Sequence, residues 1–208
     1  MFYFVKTPQF VKRIFPQYIW NQVTTKKVIY LTFDDGPTPI ITHWVLDELK
    51  KHQAKATFFC IGKNVAHYPD IASAILKQGH TIGNHTQNHL NGWFSDTNAY
   101  VNDVEKANQQ INKFTSQRLF RPPYGKIKPS QANKLQKQGC QIVMWDVLSA
   151  DFDTTITKEK CLQNVLKNTQ NGSIVVFHDS VKASGKLQYV LPKVLDYFAE
   201  NGFEFKAL

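Results

Sequence analysis

The feature that most constrains the fold of this 208-residue chain is a regular alternation of short apolar runs with amphipathic segments. Runs rich in β-branched and aromatic residues predict seven strands, and each strand except the last is followed by a stretch with helical spacing. This order predicts parallel β/α units. The predicted strands cover residues 27–33, 56–61, 80–83, 118–121, 141–146, 173–178 and 203–206. The predicted helices cover residues 38–52, with Thr38 as the cap, 69–78, 96–114, 129–138, 158–168 and 186–200.

Two of the predicted strands are almost continuously apolar, at residues 28–31 and 174–177. Such runs are typical of strands that are covered on both faces. A barrel and a doubly wound sheet both fit this pattern, and in both architectures ligands bind where strands end and loops begin. No linker, repeat or low-complexity segment divides the chain. We therefore expect a single domain over residues 27–208, with residues 1–26 packed against it.

Composition and charge exclude several classes of protein. No stretch reaches the roughly 18 apolar residues of a membrane span, so we expect no transmembrane segment. The net charge of +9 favours an anionic polymer but is spread along the chain, which argues against nucleic acid as a partner. Three cysteines without C-x-x-C spacing argue against disulfides and a cysteine zinc site. No signal peptide is visible, which by sequence favours the cytoplasm, whereas a cell-wall substrate would imply export, so the sequence leaves localisation open. We also expect a monomer.

Polar side chains follow five of the predicted strands at their carboxyl ends. The five groups are Asp34-Asp35, His85 with His89, Arg121, Trp145-Asp146 with Asp151 nearby, and His178-Asp179. In a parallel barrel these ends meet at one mouth, so the shared position of the groups predicts a single site.

His85 and His89 are four residues apart, so on a helical turn both rings would face the same side. Two imidazoles and one carboxylate are a common ligand set for a catalytic metal. Two solvated loop histidines are the alternative. Asp34 and Asp35 end a strand and would point to opposite sides, so that one can bind metal while the other acts as a base. Asp35 also fits a simple Asp-Gly-Pro turn.

Arg121 precedes two prolines that rigidify the backbone. We expect it to pair with a carboxylate in the mouth, with a surface arginine as the alternative. His178 leaves a buried strand and is either a satisfied core residue or, oriented by an acid such as Asp151, a general acid.

These motifs together resemble those of the polysaccharide deacetylases, carbohydrate esterase family four. The resemblance is carried by the run from Thr32 to Pro37, by His85-Thr-Gln-Asn-His89, by Arg121-Pro-Pro-Tyr124 and by His178. It implies an α/β fold, a distorted seven-stranded (β/α) barrel of the TIM-barrel type. It also implies metal-dependent removal of acetyl groups from a glycan substrate.

The resemblance also implies roles for individual residues. Asp34 matches the catalytic base and Arg121 its partner, while Asp35, His85 and His89 match the metal ligands. The backbone N–H of Tyr124 matches the oxyanion donor. Asp151 matches the acid that tunes the catalytic histidine, here His178.

The fourth motif departs from the family pattern, because Leu148 and Phe152 stand where an Asp and a Trp are usual. Val176 also stands where Leu is common. These changes alter the acetyl pocket and so bear on the substrate. The leading interpretation is an N-deacetylase acting on peptidoglycan or a chitin-type oligosaccharide. Alternatives are an O-acetyl esterase of the acetylxylan type and a non-catalytic glycan-binding barrel. Zn²⁺ is the expected ion, and Co²⁺, Ni²⁺ or Mn²⁺ fit similar sites.

Overall fold

The computed structural model describes residues 3–208, which form eight strands and eight α-helices. The strands are β1 (Val28–Asp34), β2 (Ala56–Cys60), β3 (Thr81–Asn84), β4 (Leu119–Phe120), β5 (Gln141–Ile142), β6 (Val147–Leu148), β7 (Ile174–His178) and β8 (Glu204–Phe205). The helices are α1 (Gln9–Ile14), α2 (Ile41–Lys51), α3 (Gly62–His67), α4 (Pro69–Lys77), α5 (Thr97–Ile111), α6 (Pro129–Lys137), α7 (Lys158–Leu166) and α8 (Ser184–Glu200).

The strand order decides between the two architectures that the sequence left open. Neighbouring strands run β5-β4-β3-β2-β1-β7-β6, and every pair is parallel. The strands therefore follow chain order around a curled sheet that is open only between β5 and β6. A doubly wound sheet would reverse its order at a switch point. The predicted distorted seven-stranded β/α barrel is thus confirmed, as a half-barrel.

The alternation of side chains along the central strands directs candidate site residues to the inner face of the sheet. In β1 the side chains of Ile29, Leu31 and Phe33 pack in the main core beneath the helices. The residues between them face the opposite side, as the two-residue period of a strand requires, and this inward set ends at Asp34. Asp34 pairs with His178 in the parallel register between β1 and β7, so the two side chains are neighbours on the inner face.

Several predicted boundaries are wrong. The strand predicted over residues 141–146 ends at Ile142, and the strand β6 at Val147–Leu148 was not predicted. The last predicted strand, β8, lies off the main path and pairs only with the start of β1. Helix α2 begins at Ile41, and the Thr38 N–H donates to Thr42 Oγ1. Thr38 is therefore not the cap, since Pro39 and Ile40, with φ of 67°, intervene.

Residues 3–22, here called the N-terminal segment, cover the open seam of the half-barrel. Ile19 bridges to Val143 beside β5, and Lys6 bridges to Val147 in β6. The backbone bonds alternate across the gap, from Ile19 N–H to the Ile142 carbonyl and from Leu148 N–H to the Val5 carbonyl. Exposed strand edges are unfavourable, and the N-terminal segment supplies both edges with partners.

Asp146 binds two lysines of the N-terminal segment from inside the seam. Its fully buried carboxylate accepts hydrogen bonds at 2.6 Å from both Lys6 Nζ and Lys12 Nζ, and another from Ser173 Oγ. Burial opposes the charge of Asp146, but the two lysines and the serine outweigh it and lower the pKa of Asp146. The polar pair Trp145-Asp146 was predicted to face the mouth, and Asp146 instead faces away from it into this network.

The three cysteines are free and buried. Among residues 3–208, no helix is long and apolar enough to cross a membrane.

The seam predicts a stability effect for Asp146. Asp146→Ala would leave the buried ammonium of Lys12 without its carboxylate, and losing one partner of a buried pair costs about 3–5 kcal/mol. We expect a loss of this size in the free energy of unfolding, measured by urea denaturation. Lys206→Gln, which breaks the exposed pair with Glu204, is the matched control and should change stability far less. If the two variants lose the same free energy of unfolding, Asp146 does not stabilise the seam in this way.

Candidate active site

A cavity of about 880 Å³ opens at the carboxyl ends of the strands. Of the eight residues singled out from the sequence, six line it: Asp34, Asp35, His85, His89, Tyr124 and His178. The other two lie one contact behind the wall, where Arg121 and Asp151 are fully buried. The structure therefore brings all eight side chains into one cluster, although they come from five separate parts of the chain.

Arg121 lies beneath the cavity and binds Asp34. Its Nη1 donates to Asp34 Oδ1 and to Thr32 Oγ1, both at 2.7 Å. Its Nη2 donates to the Met144 carbonyl at 2.9 Å, and the guanidinium lies over the ring of Phe59 at 4.1 Å. Burial lowers the pKa of Arg121 and the charge of Asp34 raises it, but an arginine stays protonated in proteins. Oδ1 is the only oxygen of Asp34 bonded to a described side chain, which leaves Oδ2 for chemistry.

Asp35, His85 and His89 point at a common position. Asp35 Oδ1 lies 3.2 Å from His89 Nε2 and 3.7 Å from His85 Nε2, and the three potential ligand atoms lie within 4.8 Å of one another. This arrangement does not arise from the local geometry expected from the sequence. The two histidines lie in a loop with positive φ at Thr86 and His89, rather than on a helical turn. Asp35, with φ of 79°, has left the strand, so Asp34 and Asp35 face the same cavity instead of opposite sides.

The protonation of His85 suits a metal ligand. Its Nδ1 lies 2.8 Å from the Arg121 carbonyl, and since a carbonyl can only accept, Nδ1 carries the proton and Nε2 presents a lone pair. Complete burial lowers the pKa of His85 to about 4, with the charge of Asp34 opposing this shift. His85 is therefore neutral at neutral pH.

Asp35 fits the same interpretation. Burial disfavours its charge, but the nearby His89, His178 and His85 outweigh burial and hold the pKa of Asp35 well below its usual range. Its Oδ1 is buried and accepts no hydrogen bond from any described residue. A buried, ionised oxygen without a donor, facing two imidazole nitrogens, matches the donor set of a divalent ion.

The loop that carries the histidines is held from helix α5. The Asp103 carboxylate accepts bonds from the backbone N–H groups of Gln87 and Asn88 at 3.0 Å. Asn108 accepts a bond from Asn84 Nδ2 at 2.7 Å. Sequence reasoning missed these supports. The signal for them is that Asp103 and Asn108 are polar residues beside the apolar Val104 and Ala107 on the buried side of α5, where a polar residue needs a partner.

His178 is bound by Asp151 through two bonds. Its Nδ1 donates to Asp151 Oδ1 at 2.7 Å, and its backbone N–H donates to Oδ2 at 2.8 Å. Burial disfavours the imidazolium, but the charge and hydrogen bond of Asp151, together with Asp35 and Asp34, raise the pKa of His178 to about 9. His178 is therefore protonated at neutral pH, and Nε2–H is the proton that it can donate.

Asp179, which follows His178, was predicted to face the cavity, but it does not line it. It is fully buried and accepts a bond from Thr42 Oγ1. Burial, with the charges of Asp35 and Asp34, raises the pKa of Asp179 to about 7, while the Thr42 bond opposes the shift. A Cβ at Gly36 would clash with its carboxyl group, so Gly36 lets the loop after β1 close onto Asp179.

Tyr124 occupies the rim of the cavity. Its backbone is left-handed, with φ of 60°, and its N–H makes no hydrogen bond within residues 3–208. Its half-exposed ring meets the ring of His89 edge-on at 4.7 Å.

The three departures from the family pattern, Leu148, Phe152 and Val176, also line the cavity. Further lining residues were not predicted from the sequence. They are Tyr3, Trp93, Pro122, Lys126, Ser180, Val181 and Lys182, whereas Trp145, which was predicted at the mouth, does line the cavity.

Known proteins resemble this chain in sequence and in fold. The family model for polysaccharide deacetylase matches residues 21–143. A peptidoglycan-N-acetylglucosamine deacetylase of Bacillus cereus is 35% identical over 188 residues, which cover 89% of this chain and 88% of that protein. A solved peptidoglycan N-acetylglucosamine deacetylase, in complex with 4-naphthalen-1-yl-N-oxidanyl-benzamide, has a TM-score of 0.88 at 32% identity and covers 97% of this chain and 95% of its own.

The same fold also occurs in a protein described as a pseudoenzyme. This CE4 family pseudoenzyme from Bacillus anthracis has a TM-score of 0.81 at 25% identity, over 91% of this chain and 66% of its own. The fold therefore does not establish catalysis, which depends on the residues of the cavity.

The cluster of Asp35, His85 and His89 predicts one divalent ion per chain. His85→Ala removes a ligand, and because the loss of a residue that merely supports a ligand costs up to about 100-fold in affinity, we expect a larger loss here. Titration calorimetry with Zn²⁺ on chelator-treated protein measures it. His67→Ala removes an exposed histidine that does not line the cavity and should leave the affinity unchanged. Unaltered binding by the His85 variant would contradict the assignment.

Proposed function

The chain belongs to the polysaccharide deacetylase family, and from this membership we propose that it is a metal-dependent N-deacetylase. The substrate is a glycan that contains N-acetylglucosamine, with peptidoglycan or a chitin-type oligosaccharide as the candidates, and acetate is the product. The observation that carries the proposal is the cavity itself. A three-residue ligand set, a carboxylate paired with a buried arginine and an imidazolium paired with a buried aspartate face one space.

Asp35, His85 and His89 are proposed to hold the ion. Two imidazoles and one carboxylate are a ligand set of catalytic zinc sites, and Co²⁺, Ni²⁺ and Mn²⁺ accept similar donors. The chemistry that such an ion supplies when bound is Lewis acidity, which lowers the pKa of a water molecule and polarises a carbonyl oxygen.

Asp34 is proposed as the general base. Arg121 holds its Oδ1, so that Oδ2 accepts the proton of the attacking water while the water oxygen forms its bond to the acetyl carbon. The Arg121 contacts also fix the direction of the carboxylate, because the guanidinium is bonded on several sides and cannot move independently. As the carbonyl oxygen becomes negative, the unpartnered N–H of Tyr124 is the protein donor placed to stabilise it.

His178 is proposed as the general acid. The leaving nitrogen must gain a proton as the C–N bond breaks, since an amide anion is a very poor leaving group. With Nδ1–H bonded to Asp151, His178 donates its Nε2 proton to this nitrogen and becomes neutral. The proton on Asp34 and the proton lost by His178 balance, and the products are acetate and a free amine.

The supporting comparisons do not by themselves identify the substrate, so the experiment is acetate release across three classes of glycan. Peptidoglycan, chitin oligomers and acetylxylan are incubated with the protein, with and without Zn²⁺, Co²⁺, Ni²⁺ or Mn²⁺. We expect metal-dependent release from one or both N-acetylated glycans that exceeds release from acetylxylan. The reverse order would favour the esterase. No release from any glycan by protein with bound metal would favour the non-catalytic barrel.

Asp34→Asn is the matched control for this assay. It preserves the size and position of the side chain but removes the base, so we expect turnover to be abolished while metal binding, measured by calorimetry, survives. Substantial remaining activity would exclude Asp34 from the mechanism, and loss of the metal would instead make it a ligand.

If His178 is the general acid, its loss should affect the hydrolysis of amides more than the hydrolysis of activated esters. His178→Ala should lower N-deacetylation by about 10²–10⁴-fold, the range typical of acid catalysis. Hydrolysis of an activated aryl acetate should fall much less, because its alkoxide leaves without a proton. Equal losses on both substrates would contradict the assignment and point to a role of His178 in binding the acetyl group.

The pH dependence follows from the same pair. The acid works only when protonated, so activity should fall as the pH rises through the pKa of His178, which Asp151 raises. Asp151→Asn removes the opposite charge and should move the alkaline limb of the kcat profile to lower pH, by about 1–3 units. An unmoved limb would show that another group controls it.

A further inference from the structure

The N-terminal segment reaches the cavity at its first described residue, Tyr3. Tyr3 forms part of the cavity wall together with Phe152 and His178. Its ring meets the ring of Phe152 edge-on, with centroids 5.7 Å apart and an interplanar angle of 66°. The ring of Phe152 in turn meets the imidazole of His178 edge-on, at 5.1 Å and 74°. Three aromatic rings therefore stand in series, and the last belongs to the proposed general acid.

The Tyr3 hydroxyl adds one contact to the ring and backbone contacts that position this residue. The Tyr3 OH donates to Asp153 Oδ2 at 2.6 Å. The other oxygen of Asp153 accepts bonds from the backbone N–H and the hydroxyl of Thr155 at 2.9 and 2.7 Å. The carboxylate is thus fixed by the turn that follows Phe152, and the tyrosine is bonded to a stationary acceptor.

The backbone behind Tyr3 is fixed as well. The Val5 carbonyl accepts a bond from Leu148 N–H at 2.8 Å, and Thr7 N–H donates to the Asp146 carbonyl at 2.9 Å. Lys6 Nζ bonds both Asp146 and the Asn168 carbonyl. The segment is therefore attached to β6 at the edge of the half-barrel, and Tyr3 projects from this attachment toward Phe152.

The position of Phe152 bears on how far the hydrogen bond between His178 and Asp151 is exposed to solvent. Asp151 is fully buried, and 14% of the His178 side chain is exposed. Phe152 directly follows Asp151 in the chain and covers one edge of the imidazole. A phenylalanine without support on its far side could turn into the cavity, which would open the Nδ1–H bond of His178 to water.

We propose that Tyr3 is a positioning residue that holds Phe152 against His178 and so keeps the bond between His178 and Asp151 shielded from solvent. The proposal rests on the role of His178 in the proposed function. It adds Tyr3 of the N-terminal segment to the active site, and this residue lies outside the family motifs.

The test compares three variants. Tyr3→Ala removes the ring, Tyr3→Phe keeps the ring and loses the hydroxyl, and Phe10→Ala removes an exposed aromatic ring from helix α1 of the same segment. The first readout is independent of turnover: the solvent exchange rate of the His178 Nδ1 proton, observed by NMR in protein supplied with Zn²⁺. The second is kcat on an N-acetylated glycan and on an activated aryl acetate. The thermal midpoint is measured for each variant.

Tyr3→Ala should accelerate exchange of the Nδ1 proton and lower kcat on the amide. The loss should be about threefold to tenfold, the range that corresponds to one aromatic pair. Hydrolysis of the aryl acetate should remain within about twofold, since it needs no acid. Tyr3→Phe should recover most of both properties, and Phe10→Ala should change neither.

Three results would overturn the proposal. The first is exchange and amide turnover in Tyr3→Ala equal to those of Phe10→Ala. The second is a parallel loss of both hydrolytic activities and of the thermal midpoint, which would make Tyr3 merely structural. The third is failure of Tyr3→Phe to restore what Tyr3→Ala loses. If the unaltered protein releases no acetate from any glycan, the proposed function fails, while the exchange measurement still decides whether Tyr3 protects the His178 bond.

Discussion

The buried ion pair between Arg121 and Asp34 is the constraint on which the rest of this half-barrel depends. A guanidinium with no solvent contact must find its acceptors inside the protein, because an unpaired buried charge is prohibitively unfavourable. Arg121 finds them on β1, through Thr32 and Asp34, and on the backbone that leaves β5, through the Met144 carbonyl, while Phe59 of β2 lies against its face. The interaction that orients the proposed base therefore also ties together strands from three parts of the chain. Losing one partner of such a pair costs about 3–5 kcal/mol.

The contacts of Arg121 also bear on the gap between β5 and β6. The backbone after Ile142 turns its carbonyls toward the guanidinium, from Val143 at 3.3 Å as well as from Met144, and no longer continues the sheet. The barrel stays open between β5 and β6, and the N-terminal segment fills the gap with backbone bonds and with the Lys6 and Lys12 contacts to Asp146. A segment that carries none of the family motifs thus becomes part of the framework that supports the cavity.

Two histidines in this cavity, His85 and His178, differ in pKa because their surroundings differ. His85 is fully buried, with a backbone carbonyl as the partner of its Nδ1, and burial lowers its pKa to about 4. His178 is also buried, but Asp151 bonds it twice, and its pKa rises to about 9. At neutral pH one ring is therefore a lone-pair donor and the other a proton donor. Both are needed for the proposed chemistry, and the difference comes from the partner that each ring meets.

The sequence by itself determined the order of strands and helices, the family and the placement of polar residues at strand ends. These properties are local: the two-residue period of a strand and the 3.6-residue period of a helix are visible in any short window. Local reasoning failed where the backbone departs from those periods. It grouped His85 with His89 through a helical turn that does not exist, and it directed Asp146 into the mouth. Only the tertiary structure decided that Asp146 would face two lysines and that Tyr3 would reach Phe152, because such contacts join residues more than 100 positions apart. Their partners are selected by the packing of the whole chain rather than by neighbouring residues.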